Sequence, residues 1–223
     1  MPEESHRLPT QWKQSNAVQV GWMRQFRYLC RMYDLIADVP GDIVECGIGE
    51  GTTFAMLAYL AGSDTTPRVL RGFDSFQGFP EPAPIDDSWR KPQKGEWAIE
   101  EAAVRTLLET ASIPEKFPGL SINITPGFLN DTLPKEVVKG YQIAFLHLDV
   151  DIYPSYRDGL ENLFPLVAPG GVVLFDEYKE FSSKNPKNEK WPGATKAIDE
   201  YLLPLGYEPQ YYPETKKYFV IKR

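Results

Sequence analysis

The sequence predicts an α/β domain on a mostly parallel sheet that ends in an antiparallel hairpin. Three observations lead there. Short apolar runs alternate with amphipathic stretches of helical period, a glycine-rich turn follows the first apolar run, and the late apolar runs end in acid. With 223 residues the chain suffices for one three-layer core and is short for two.

Residues 16–37 place Val20, Met23, Phe26, Leu29, Cys30, Tyr33 and Ile36 at helical spacing, and VPGD stops that helix. This divides the chain into an N-terminal helical segment, 1–39, packing on a domain of residues 40–223. DIVECG is a short buried strand, TTFAMLAYLAG a helix ending at Gly62, and RVLRGFD a strand closing at Asp74, which together make a parallel unit. Residues 80–97 are rich in proline and charge without periodicity, and a structureless loop of that length suits a lid over a site. IEEAAVRTLLETA reads as a helix and LSINITPG as a strand. QIAFLHLD and GVVLFD are buried strands around the helix SYRDGLENLFPLV. ATKAIDEYLLPL is a last helix, and GYEPQYY with KKYFVIK forms a hairpin about PET.

A net charge of −7 disfavours nucleic acid, and no run of about 18 apolar residues is present to cross a membrane. The first residues, MPEESHRLPTQWKQ, lack an apolar signal core, and Cys30 and Cys46 alone suggest no disulfide framework. A soluble protein of a reducing cytoplasm is expected.

Asp149 and Asp151 end one late strand, and Asp176 and Glu177 the next. Ligands of open α/β sheets settle outside the carboxyl ends of the strands, where four gathered carboxylates would repel one another without a cation. Oxygen ligands without a cysteine or a ligand-spaced histidine pair favour a hard ion, Mg, Mn or Ca. Solvated loop acids or helix caps are the alternative.

ECGIGEG sets Gly47, Gly49 and Gly51 between the first strand and its helix. A dinucleotide fingerprint would place a third glycine where Thr52 stands, and Glu45 would repel a pyrophosphate. Acid followed by alternating glycines suits a cationic ligand such as S-adenosylmethionine, unless the glycines only serve a tight turn. Asp74 ends the second strand, where a carboxylate accepts ribose hydroxyls.

DIVECGIGEG, GFDSFQGFPEP, KGEW, TPGFLNDTLP, LHLDVDIYPS, GGVVLFDEY and PGATKAIDEY together resemble the TylF-like family of macrocin and other sugar O-methyltransferases, in order from about residue 40 onward. The resemblance implies a class I methyltransferase fold, a Rossmann-like three-layer sandwich with a seven-stranded sheet, using S-adenosylmethionine and a divalent metal, usually Mg. The acceptor it implies is a hydroxyl of a sugar or glycosylated natural product. It assigns the cofactor to Glu45, Gly47, Gly49 and Asp74, with Thr52, Ser75, Phe76, Gly127 and Phe128 as further candidates, and the metal to Asp149, Asp176 and Glu177. Family members often read DDY where this chain has DEY, so Glu177 is one methylene longer. Asp151 is then available as base, with Asp149 open to serving as both ligand and base. Catechol-type relatives use a lysine where Ile152 stands, which argues against a lysine base.

His147 shares the strand face of the acids and is expected to be packed and hydrogen-bonded. Tyr153 is expected as a pocket wall. Asp86, Asp87, Trp89, Arg90, Lys94 and Trp97 of the long loop could line a sugar site. Arg24, Arg27 and Arg31 read as a solvated helix face, Lys196 and Asp199 as structural, and Trp191 as a border of the acceptor pocket. The N-terminal helix and aromatic tail offer a surface for a homodimer. Competing readings are a glycosyltransferase using Asp149 and Asp151 as a DxD motif, a phosphatase with a similar DxD, and a non-catalytic cofactor-binding module. Neither enzyme alternative explains ECGIGEG with Asp74.

Overall fold

The computed structural model describes residues 20–182 and 185–223. The first four residues of the helix expected at 16–37, and the polar start of the chain, lie outside the described residues. Helix α1 spans Val20–Asp34. Of its expected apolar stripe Leu29, Tyr33 and Ile36 are buried, whereas Met23 is exposed. Arg24, Arg27 and Arg31 lie on the exposed face, as their spacing suggests.

Strand β1 (Asp42–Cys46), helix α2 (Thr52–Ser63) and β2 (Val69–Asp74) make the first strand, helix, strand unit. Helices α3 (Glu101–Thr110) and α4 (Ile113–Lys116) lead to β3 (Ser121–Pro126), and α5 (Leu129–Val137) leads to β4 (Ile143–Leu148). Helix α6 (Tyr153–Leu163) precedes β5 (Val167–Phe175). A small hairpin, β6 (Phe181–Ser182) and β7 (Asn185–Glu189), comes before α7 (Pro192–Leu202), and β8 (Gln210–Tyr212) with β9 (Lys217–Ile221) ends the chain.

The main sheet has seven strands in the order β3-β2-β1-β4-β5-β9-β8. β1 through β5 run parallel, and β9 lies antiparallel to both β5 and β8. Wholly buried strands such as IAFLHL need helices on both faces, and the core accordingly divides in two. One layer packs Leu133, Tyr156, Leu160 and Ile198 on one face, and the other packs Leu29, Ile36, Phe54 and Leu57 on the opposite face. Among the described residues no helix is long and apolar enough to cross a membrane. Cys30 and Cys46 are unpaired.

Two expectations change. Residues 80–97 are not structureless: Pro84–Asp86 forms a 3-10 turn, Phe79 and Glu96 pair through their backbones, and Arg90 binds Glu96 at 2.5 Å. The β6–β7 hairpin was not expected, because KEFSSKNPKNEK has neither apolar alternation nor a strong turn pair.

Arg68 fastens α1 to the sheet. Its buried guanidinium donates to the carbonyls of Ile36, Val39 and Gly41 at 2.9–3.0 Å and binds Asp64 at 2.6 Å. Replacing Arg68 by Met leaves three carbonyls without this donor and Asp64 without its cation. The expected cost is about 3 kcal/mol, measured by urea denaturation.

Candidate active site

The parallel strand order reverses between β1 and β4, and both strands end at the same edge of the sheet. The chain passes so closely there that a Cβ on Gly47 would lie 1.7 Å from the carbonyl oxygen of Asp149. Gly47 has a φ of 83°, in the left-handed region that glycine tolerates. The amide of Gly47 donates to Phe73 and that of Asp149 to Cys46, so the ladder continues past the strand ends. A cleft of about 600 Å³ opens above this crossing, a size suited to a small-molecule site.

One half of the cleft is the glycine turn. Gly47, Gly49, Thr52, Asp74, Ser75 and Phe128 line it, as do Glu50 and Thr53. Asp74 braces the turn: its Oδ2 accepts the amides of Ile48 at 2.8 Å and Gly49 at 3.0 Å, and its Oδ1 accepts that of Phe76 at 2.8 Å. Three donors take most of a carboxylate's acceptor sites. Ser75 Oγ donates to Gly78 O and accepts the Gln77 amide, closing the next turn.

Three cofactor candidates do not reach the cleft. Phe76 is half-buried against the core layer that contains Phe54 and Leu57, and Gly127 lies against Thr132. Glu45 is fully enclosed in the sheet, where its Oε1 meets His147 Nδ1 at 2.8 Å across the β1–β4 register. Its Oε2 has no hydrogen-bond partner, and burial pushes its carboxyl above the usual range.

The other half holds Asp149, Asp151, Asp176 and Glu177, all lining the cleft. Ligand atoms of His147, Asp149 and Asp176 lie within 4.8 Å of one another. Glu177 is not one of this close set, and its Oε2 lies 2.9 Å from the Tyr156 hydroxyl and accepts the Asp151 amide at 3.2 Å. Asp151 has a φ of 60°, a strained conformation for a side-chain-bearing residue, of a kind that clusters at functional sites.

Burial, then the charges of Asp176 and Asp151, push Asp149 well above the ordinary carboxylate value. Burial and Glu177 do the same to Asp151, and burial and Asp149 to Glu177. Asp176 differs. Burial opposes its charge, but Lys217 outweighs it together with His147, and Asp176 is held below the usual value. Lys217 Nζ binds its Oδ2 at 2.6 Å and its backbone oxygen at 2.8 Å. Sequence reasoning passed over Lys217 and Tyr156, which look like an ordinary strand lysine and a core tyrosine.

The long segment delivers Phe79, Glu96 and Trp97 to the cleft, while Asp86, Asp87, Trp89, Arg90 and Lys94 do not line it. Asp86 is buried and structural: it accepts the amides of Tyr153 at 2.9 Å and Ala83 at 2.8 Å. Tyr153 bonds Glu200 instead of lining the cleft, and Asp199 accepts the Tyr178 hydroxyl at 2.6 Å. Trp191 is buried behind Trp97, their rings 5.9 Å apart. His147 is buried and hydrogen-bonded, as expected.

A seven-stranded sheet of this order, with a glycine turn after β1 and an acid after β2, defines a class I S-adenosylmethionine-dependent methyltransferase. The chain belongs to the macrocin O-methyltransferase (TylF) family, whose model matches residues 10–201. That membership sets aside the glycosyltransferase and phosphatase readings. A tetracenomycin 4'-O-methyltransferase of Streptomyces olivaceus is 32% identical over 178 residues, which cover 77% of this chain and 66% of that protein. The demethyldecarbamoylnovobiocin O-methyltransferase of Streptomyces niveus is 28% identical over 208 residues, 89% of this chain and 72% of the relative. Among solved structures, the calicheamicin methyltransferase CalS11 superposes with a TM-score of 0.80 at 25% identity, covering 98% of this chain and 87% of that one.

The acid cluster has a consequence for stability. A carboxyl whose folded pKa is raised favours folding while protonated and loses that contribution as pH rises through the folded value. Asp149, Asp151 and Glu177 are all of this kind. Asp176 is the reverse, and its contribution is lost only as pH falls below the carboxylate range. The melting temperature should therefore fall as pH rises above the ordinary carboxylate range. Calorimetric melts at rising pH check this.

Proposed function

We propose that this chain transfers a methyl group from S-adenosylmethionine to a sugar hydroxyl of a natural product, assisted by a divalent cation such as Mg. The observation that carries the reading is the single cleft in which the glycine turn and Asp74 face Asp149, Asp151 and Asp176. The Streptomyces olivaceus relative is named for methylation on a rhamnosyl-bearing tetracenomycin, which supports a sugar acceptor here.

The residues present fit both groups. Gly47, Gly49, Thr52, Asp74, Ser75 and Phe128 would hold the cofactor. The left-handed glycines let a ligand approach the turn closely, and Asp74 closes on the same edge. Asp149 and Asp176 would hold the cation, and Glu177, whose Oε2 is engaged by the Tyr156 hydroxyl, would offer its other oxygen. The like-charged, buried carboxylates are the kind of donor set that a cation compensates. S-adenosylmethionine supplies an electrophilic methyl group, and the cation supplies positive charge that lowers the acceptor hydroxyl's pKa.

Asp151 takes the hydroxyl proton. Burial and the neighbouring Glu177 raise its proton affinity, which suits a base working near neutral pH. Its strained backbone, with its amide bonded to Glu177, holds the carboxylate at the cleft. Asp149 remains the alternative base, since it lines the same cleft. Phe79, Glu96 and Trp97 wall the acceptor half, an aromatic and polar mixture suited to a sugar ring.

Calorimetry with S-adenosylhomocysteine tests the cofactor half, and absence of binding would sink the reading. Replacing Asp151 by Asn should lower turnover roughly 10² to 10⁴-fold with S-adenosylhomocysteine affinity unchanged. Full turnover in that variant would move the base role to Asp149.

A further inference from the structure

We propose that Trp97 is the platform on which the acceptor's sugar ring lies, and that Arg90, a positioning residue outside the cleft, holds its indole in place. The proposal rests on the sugar-acceptor reading above and deepens it by naming the group that grips the ring.

Trp97 departs from ordinary packing twice over. Its φ is 63°, in the left-handed region where a bulky side chain is strained, and the residue is 55% exposed where it lines the cleft. An indole left in water forgoes the burial that stabilises a core tryptophan, so packing accounts for neither the strain nor the exposure. Its aromatic neighbours behave otherwise. Phe79 and Trp191 are buried, with ring centroids 5.2 and 5.9 Å from that of Trp97. Of the three rings, Trp97 alone offers a broad open surface.

The wall around it is held from two sides. The Gly95 amide donates to the Phe79 carbonyl at 2.9 Å, and the Phe79 amide to the Glu96 carbonyl at 3.1 Å. Arg90 supplies the side-chain clamp: its guanidinium lies 4.5 Å from the Trp97 ring centroid and 5.6 Å from that of Trp191, and it binds Glu96 Oε1. The Gln93 amide donates to Glu96 Oε2 at 3.1 Å. Both oxygens of Glu96 therefore already serve the segment, so Glu96 shapes the wall and contact with the acceptor falls to Trp97. Lys190 and Arg90 both act electrostatically on Asp151, which sets this wall on the Asp151 side of the cleft. A pyranose suits such a surface, because its C–H bonds give it an apolar face and the indole presents a negative π-face to them.

Fluorine NMR of protein labelled with 5-fluorotryptophan tests the assignment. The five tryptophans, Trp12, Trp22, Trp89, Trp97 and Trp191, give five signals, and Trp97→Phe identifies that of Trp97. The probe is methyl α-L-rhamnopyranoside, a sugar without an aromatic aglycone, added to protein saturated with S-adenosylhomocysteine and Mg. The Trp97 signal should move most. Trp97→Ala should bind the sugar about tenfold more weakly, with S-adenosylhomocysteine affinity retained, and Trp97→Phe should fall between. Arg90→Met should displace the Trp97 signal before any sugar is added and weaken sugar binding severalfold. Arg90→Lys, which keeps a cation without the planar fork, should recover part of both. The wild-type titration decides even where a variant fails to fold. No sugar bound, or a Trp97 signal that answers S-adenosylhomocysteine and not the sugar, overturns the proposal. Binding of S-adenosylhomocysteine by calorimetry keeps the cofactor half of the functional reading standing in either case, and its absence sinks that reading and the proposal together.

Discussion

The contact between the end of β1 and the end of β4 governs the rest of the site. Gly47 meets the Asp149 carbonyl at a distance no side chain could share. The glycine turn and the acid cluster therefore hang from one backbone crossing. Asp74 reinforces it from the next strand by gathering the amides of Ile48 and Gly49. Distance between the two halves of the cleft is thus set by main chain, which is stiffer than any pair of side chains. Methyl transfer depends on an in-line approach, and a rigid crossing suits it.

Charge is the second constraint. Four carboxylates line one region of the cleft, and the protein answers them unequally. Asp176 has the ammonium of Lys217 from β9, Glu177 has the hydroxyl of Tyr156, and Glu45 below them has the imidazole of His147. Asp149 makes no comparable side-chain pairing among the described residues, and it is the acid nearest the strand crossing. Burial and like charge accordingly push Asp149 and Asp151 well above the ordinary carboxylate value, while Asp176 is held below it.

Much of the architecture was legible because it rests on local signals. Apolar runs, turn residues and helical spacing located the strands and helices, and acids at strand ends located the cleft. What was missed depends on register or long-range approach. Lys217 reads as one more polar residue in KKYFVIK until the antiparallel insertion of β9 beside β5 brings it to Asp176. Glu45 looked like a cofactor ligand because the family motif places it beside the glycines; only the pairing of Glu45 with His147 across two strands shows that it faces inward. Asp86 looked like a sugar-lining acid because nothing near it in sequence announces the amide of Tyr153.

That buried Asp86 also limits how the acceptor side can change. It joins the segment 80–97 to the start of α6 through the Tyr153 amide, and Gly193 at the start of α7 approaches it so closely that a Cβ would lie 1.7 Å from Oδ1. Three stretches distant in sequence are therefore locked at one point behind the cleft wall. In chimeras between family members, the segment bearing Trp97 cannot be exchanged as an isolated cassette. Asp86, the start of α6 and Gly193 have to move together, whereas Glu96 and Trp97 face the cleft without touching that lock.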